Sequence, residues 1–135
     1  MLDLPDHLSQ MWAQDAASQS LGISLLSVGN HRATLSLTLR PQHLNSHGIA
    51  HGGVVFTLAD SAFAYASNST GENAVSQANS ITYLASGRLG DTLTAEAVLI
   101  SRAGRSAIYD VTIRGKDGAT LALMRAQARF VSSQR

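Results

Sequence analysis

Cysteine is absent from this 135-residue chain, which excludes disulfides, zinc–thiolate centres, iron–sulfur clusters and a cysteine nucleophile together. Charge is scarce as well. Only 14% of residues are charged, ten basic against nine acidic, for a net +1. So even a balance produces no strong field around the molecule, which argues against bulk nucleic-acid binding and a polybasic membrane anchor. No apolar run approaches the roughly 18 residues that span a bilayer. The opening MLDLPDHLSQ carries acids where a signal peptide carries bases, so a reducing cytoplasm is the expected compartment. Proline occurs twice and aromatics number seven, against twenty alanines. Much of the core must therefore be built from small side chains, which let elements approach closely.

What is present reads as one domain over 1–135, without repeats or low-complexity linkers. Leu8, Met11, Trp12 and Ala16 recur at helical spacing after Pro5, and Gly22 closes that first helix. A strand over 23–28 and a turn at Gly29-Asn30 lead into a clean alternation, with Ala33, Leu35, Leu37 and Leu39 facing one way. The stretch from Pro41 to Ala50, rich in His, Asn and Ser, reads as loop. Residues 53–66 then form a helix that is apolar almost all round, with Asp60 its only charge. Such a helix is buried on most sides. Alternation returns over 74–84, 92–100, 106–114 and 119–131, with Lys116-Asp117-Gly118 as a hairpin turn. The expected class is α+β, a curved antiparallel sheet wrapped around one central buried helix.

Chemical interest concentrates on that helix and the loop before it. An ionised carboxylate in a buried helix is costly unless it is paired or has a chemical task. A bond to a nearby Ser, Thr or backbone donor is one explanation for Asp60. The helix start adds another: Gly52 and Gly53 leave the first N–H groups sterically open, and the helix dipole favours an oxygen gaining negative charge there. Alone, Gly-Gly is equally a turn or a close packing of backbone. Eight residues separate Gly52 from Asp60, about 12 Å along the axis, too far for one carbonyl to touch both. If both act on one carbonyl, the carboxylate comes from a second copy, across a two-fold axis.

The run His51-Gly52-Gly53, the greasy helix, Leu58-Ala59-Asp60, the strand Ile81-Thr82-Tyr83-Leu84 and Gly90-Asp91-Thr92-Leu93-Thr94-Ala95 resemble, end to end, the hotdog-fold acyl-coenzyme A thioesterases of the phenylacetate-degradation (PaaI-like) branch. The resemblance implies a hotdog fold, a homodimer with shared sites that assembles into a homotetramer, and hydrolysis of phenylacetyl- or hydroxyphenylacetyl-type thioesters. It implies Asp60 as general base or nucleophile, the Gly52 N–H as the donor polarising the carbonyl, Asn45 as a polar amide positioning water or carbonyl, and His51 as the group orienting the thioester or its sulfur. Ser76 falls near the hydroxyl that holds the attacking water. For substrate binding it implies Gly53 at the helix start and Arg88 near the coenzyme A phosphates; Arg102 and Arg105, flanking Gly104 at a hairpin turn, are further candidates for the same phosphates. Related sequences often carry a proline beside the basic residue of the first loop, where this chain has Ser86-Gly87. No cofactor is expected, since coenzyme A is part of the substrate.

Three rival readings use the same residues. His43, His47 and His51 recur every four residues and would line a helix face able to bind zinc, but Pro41, Asn45-Ser46 and Gly48 make this stretch loop, where that spacing has no geometric meaning. An enoyl-coenzyme A hydratase on the same fold uses a different arrangement of His and carboxylate. A non-catalytic acyl-coenzyme A-binding regulator would need a DNA-reading module, for which the residues before Gly22 are too few and not basic.

Overall fold

The structure, a computed structural model, describes residues 2–131. Two short helices open the chain. The single helix expected up to Gly22 is broken at Asp15 into α1 (Asp6–Gln14) and α2 (Ala16–Leu21). The cause is tertiary: the Asp15 carboxylate accepts from the Ser18 N–H at 3.1 Å, capping α2, and from the buried Tyr65 hydroxyl at 2.9 Å. Gly22 ends α2 in the left-handed conformation at φ 92°.

Strands β1 (Ser24–Gly29) and β2 (Arg32–Thr38) are joined across Asn30 and His31. Both have positive φ, 54° and 60°, as a two-residue turn between right-twisted strands requires. After a 3₁₀ turn at Pro41–His43 comes the central helix α3 (Gly52–Ser67), followed by β3 (Asn73–Tyr83), β4 (Thr92–Ala103), β5 (Ser106–Arg114) and β6 (Thr120–Val131). The six strands form one antiparallel sheet in the order β1-β2-β4-β5-β6-β3.

Alternation sets the inner face. Ala33, Leu35 and Leu37 of β2, Leu93, Ala95 and Ala97 of β4, Tyr109, Val111 and Ile113 of β5, and Ala122, Met124, Ala126 and Ala128 of β6 are all buried. Against them α3 packs Leu58, Ala59, Ala62, Phe63 and Ala66. Alanine on both sides lets the sheet curl tightly around the helix, the arrangement expected from composition.

Two features of the fold prepare the site. Helix α3 is not covered all round: Gly53, Thr57, Asp60 and Ala64, at helical spacing, form a stripe that the chain leaves partly uncovered. β3 crosses over to the edge of the sheet beside β6, and seven of its eleven residues are exposed. Among the described residues no helix is long and apolar enough to cross a membrane.

Candidate active site

The loop before α3 is held by its own side chains. The Asn45 carboxamide oxygen accepts from the N–H groups of His47 (2.9 Å) and Ile49 (3.3 Å), an Asx-type closure that fixes the oxygen and leaves the amide NH2 as its outward donor. His43 is buried, with Nδ1 accepting from Arg40 N–H at 2.9 Å and Nε2 donating to the Leu21 carbonyl at 2.8 Å. Both nitrogens are engaged within the chain, and its carbonyl accepts from His51 N–H at 2.9 Å. His43 is thus a brace that sets where α3 begins, and the three histidines share no helix face.

His51 caps α3. Its Nδ1 accepts from the Gly53 N–H at 2.9 Å, so the neutral ring carries its proton on Nε2. Val54 and Val55 donate to the His51 carbonyl. A helix starts with four N–H groups that lack intrahelical partners. Here three are taken, and the Gly52 N–H alone has no partner among the described residues. The structure therefore separates the two glycines: Gly52 offers a donor, whereas Gly53 is the floor beneath the histidine ring, with any Cβ only 3.1 Å from Nδ1.

Tyr83, at the end of β3, belongs to the strand that carries the resemblance but has no site role by sequence pattern. Its hydroxyl donates to the Gly52 carbonyl at 2.9 Å, and its ring would lie 3.3 Å from a Cβ on Gly52. Tyr83, Gly52, Val55, Ala50, Gly87 and Leu121 line a cavity beside the helix start. Arg88 sits at this same end, bridged to Ile49 and exposed, its N–H bonded to the Asp91 carboxylate at 2.9 Å.

Asp60 lies two turns away on the uncovered stripe. Burial pushes its carboxyl above the usual value, and a hydrogen bond from Asn79 works against that rise. The Asn79 Nδ2 donates to Asp60 Oδ1 at 3.1 Å, and the Ser76 hydroxyl donates to Asn79 Oδ1 at 3.4 Å. Ser76 thus meets Asp60 through Asn79, a residue the sequence reading passed over. Arg105 is at the opposite end of β4 from Arg88, in the turn after that strand, beside Arg102, whose guanidinium grips Glu72 and lies 3.7 Å over the Phe130 ring. One chain brings together Gly52, His51, Tyr83 and Arg88. It does not bring Asp60 or Arg105 to them.

Comparisons with known proteins point one way. Residues 47–122 match the family model described as thioesterase superfamily. The chain is 41% identical over 121 residues to the acyl-coenzyme A thioesterase PaaI of Escherichia coli, covering 90% of this chain and 86% of that protein. The solved structure of the E. coli PaaI protein from the phenylacetic acid degradation operon superposes with a TM-score of 0.90 at 38% identity, over 93% of this chain and 91% of that one. A Streptococcus mutans protein solved with acetyl-coenzyme A superposes at 0.79 with 29% identity, over 84% and 92% of the two chains.

Proposed function

The chain belongs to the thioesterase superfamily and is a thioester hydrolase of the hotdog fold, and we propose that it cleaves acyl- and aryl-coenzyme A thioesters at two sites shared across a homodimer. That one relative comes from the phenylacetic acid degradation operon supports phenylacetyl- and hydroxyphenylacetyl-type acyl groups for this chain, and the acetyl-coenzyme A bound by another relative supports a coenzyme A leaving group.

The observation that carries the shared site is the separation of its parts. The open Gly52 N–H and the Asp60 carboxylate are eight residues apart on α3, about 12 Å. On β3, Tyr83 touches Gly52 and Asn79 touches Asp60. These two contacts are four strand residues apart, about 13 Å. Helix and strand therefore carry the same interval in opposite directions. Antiparallel pairing of two β3 edges centred near Ile81 sets Asn79 and Asp60 of one protomer against Tyr83 and Gly52 of the other. It also covers a long exposed edge that a lone chain leaves unpaired. The same symmetry carries the Arg105 end of one protomer towards the Arg88 end of its partner, where the coenzyme A phosphates would find both cations. Leu123, half-exposed on the outer face of the sheet, lies on the surface where two such dimers would join into a homotetramer.

In the hydrolysis, the thioester oxygen accepts from the Gly52 N–H of one protomer. Asp60 of the other takes a proton from water as the water oxygen adds to the carbonyl carbon, or adds directly and forms an anhydride that water then opens. Collapse breaks the C–S bond, and the sulfur leaves as thiolate and takes up a proton. His51 Nε2–H and the Asn45 amide are the remaining donors at the helix start, suited to the leaving sulfur and to the carbonyl.

Mixing two dead variants tests the shared site. Asp60→Ala and Gly52→Pro homodimers should each release almost no thiol from a phenylacetyl-coenzyme A panel. After subunit exchange at equal amounts, half the dimers are mixed and each holds one intact site, so about 25% of the parent rate should return. Confirmed exchange without any recovery refutes the arrangement.

A further inference from the structure

We propose that Asn79 is a positioning residue of this active site: its amide holds one oxygen of the Asp60 carboxylate, leaving the other for the reacting centre, and the bulge in β3 is what aims it there. The proposal rests on Asp60 being the catalytic carboxylate.

Backbone pairing gives the argument. Residues directly opposite in an antiparallel pair share a face. Ser76 lies opposite Ala128, and Asn79 opposite Ala126, with the register shifting between Ser76 and Ala78. Ala126 and Ala128 are fully buried on the inner face. Thus Ala74 and Ser76 point inward before the bulge, and Asn79, Ile81 and Tyr83 point inward after it. Without the extra residue, strict alternation from Ala74 would send Asn79 to the outer face and bring Ser80 in. A bulge that re-aims a side chain beside a site is a recurrent use of that irregularity.

The amide is itself held. Ser76 donates to Asn79 Oδ1 at 3.4 Å, which leaves Nδ2 directed at Asp60 Oδ1 at 3.1 Å. An NH2 group can only donate, so this contact favours the ionised carboxylate. No charged side chain of the described residues competes for the role. Asp60 is the only charged residue of α3, whose Tyr65 is bonded to Asp15. The titratable residue of β3, Tyr83, is bonded to Gly52. Arg125 of β6 grips Asp110 of β5 on the outer face. Tyr109 of β5 is bonded to His31, and Arg102 of β4 is held by Glu72. Arg32 of β2, Glu96 of β4, Arg114 of β5 and Arg129 of β6 are exposed beside buried neighbours, while β1 and α2 hold no titratable side chain. Asp60 is therefore governed by burial, which raises its pKa, and by Asn79, which lowers it.

The test compares the parent with Asn79→Ala and Asn79→Asp, after circular dichroism and size exclusion show native fold and assembly. The readouts are the pH dependence of kcat/KM for phenylacetyl-coenzyme A and a carboxyl-carbon NMR titration of Asp60. Removing the amide should move the acid limb and the Asp60 titration upward together by about one pH unit, and a second carboxylate should move both further. On the plateau, kcat for Asn79→Ala should fall about tenfold with KM changed less than twofold. A merely structural residue would lower the rate at every pH and leave the limb in place. That result, with Asp60→Asn inactive, overturns the proposal alone. An active Asp60→Asn overturns the catalytic reading and the proposal with it.

Discussion

The two ends of α3 are finished by opposite rules. At its C-terminus side chains seal the turn: Asn68 donates through Nδ2 to the carbonyls of Ala64 (2.9 Å) and Ala74 (3.3 Å) and accepts the Ala74 N–H at 2.9 Å. The Asn68 carbonyl meets His7 Nε2 at 3.2 Å, and the Ser69 hydroxyl accepts from His31 N–H at 2.8 Å. At the N-terminus three of four N–H groups are closed with the same thoroughness and one is left open beside a cavity. On the proposed mechanism the open Gly52 N–H is the donor to the thioester carbonyl, whereas Asn68 serves only stability, so the two ends make opposite predictions.

Exchanging the two kinds of damage tests that separation. Gly52→Pro deletes the open donor at a position where proline suits the first helical turn, and its Cβ makes the exposed Tyr83 ring, 3.3 Å away, give way, so kcat should fall about 10²–10³-fold with only a small fall in melting temperature. Asn68→Ala should do the reverse. It leaves the buried Ala74 N–H unpartnered, which costs about 1–3 kcal/mol, and the rate of the folded enzyme should stay within twofold of the parent. Thiol release and thermal unfolding on both variants decide it, and a Gly52→Pro enzyme at full speed would erase the distinction between the ends. A smaller effect belongs to Gly53→Ala. The added Cβ falls 3.1 Å from His51 Nδ1, so the ring must give by a few tenths of an ångström and its bond to the Gly53 N–H weakens. Weakening a cap worth about 1 kcal/mol, partly offset by the better helix propensity of alanine, should lower the unfolding midpoint in urea slightly at unchanged slope.

Most of this fold was legible because its pattern is local. Alternation alone gives β5 at Ser106–Arg114 and the inner face of β2, and the apolar run gives α3 to within a residue at each end. What escaped depends on distant partners. Asp15 splits the first helix because it must also meet Tyr65, fifty residues on. The β3 bulge depends on its pairing with β6, and a strict period of two points Asn79 the wrong way. Spacing shows that Gly52 and Gly53 are small, but only the His51 ring, folded back on its own helix, shows which N–H is spent. Arg88 and Arg105 are individually visible, and nothing in one chain unites them. The helix-axis distance from Gly52 to Asp60 alone carried a quaternary statement, since it is a length fixed by backbone geometry.

The smallest effect reads the same contrast from the stability side. If Asp60 is the catalytic carboxylate proposed above, its place on an uncovered but desolvating stripe should weaken the fold that carries it. The folded state raises the Asp60 pKa above its ordinary 3.8, chiefly through burial, so the folded chain binds that proton more tightly than the unfolded chain does. Stability is then lost as pH rises from 3.8 through the raised value, and above it the penalty is complete. Asp60→Asn carries no such term and can still accept from Asn79. At neutral pH the variant should melt about 2 °C higher than the parent while releasing no thiol. Below pH 3.8, where the parent carboxyl is protonated in both states, the difference should vanish. Melting curves collected from pH 3 to 8 read this directly. A variant that melts lower at every pH would mean that the carboxylate holds the structure together, and the division between the catalytic stripe and the sealed end would fail at its central residue.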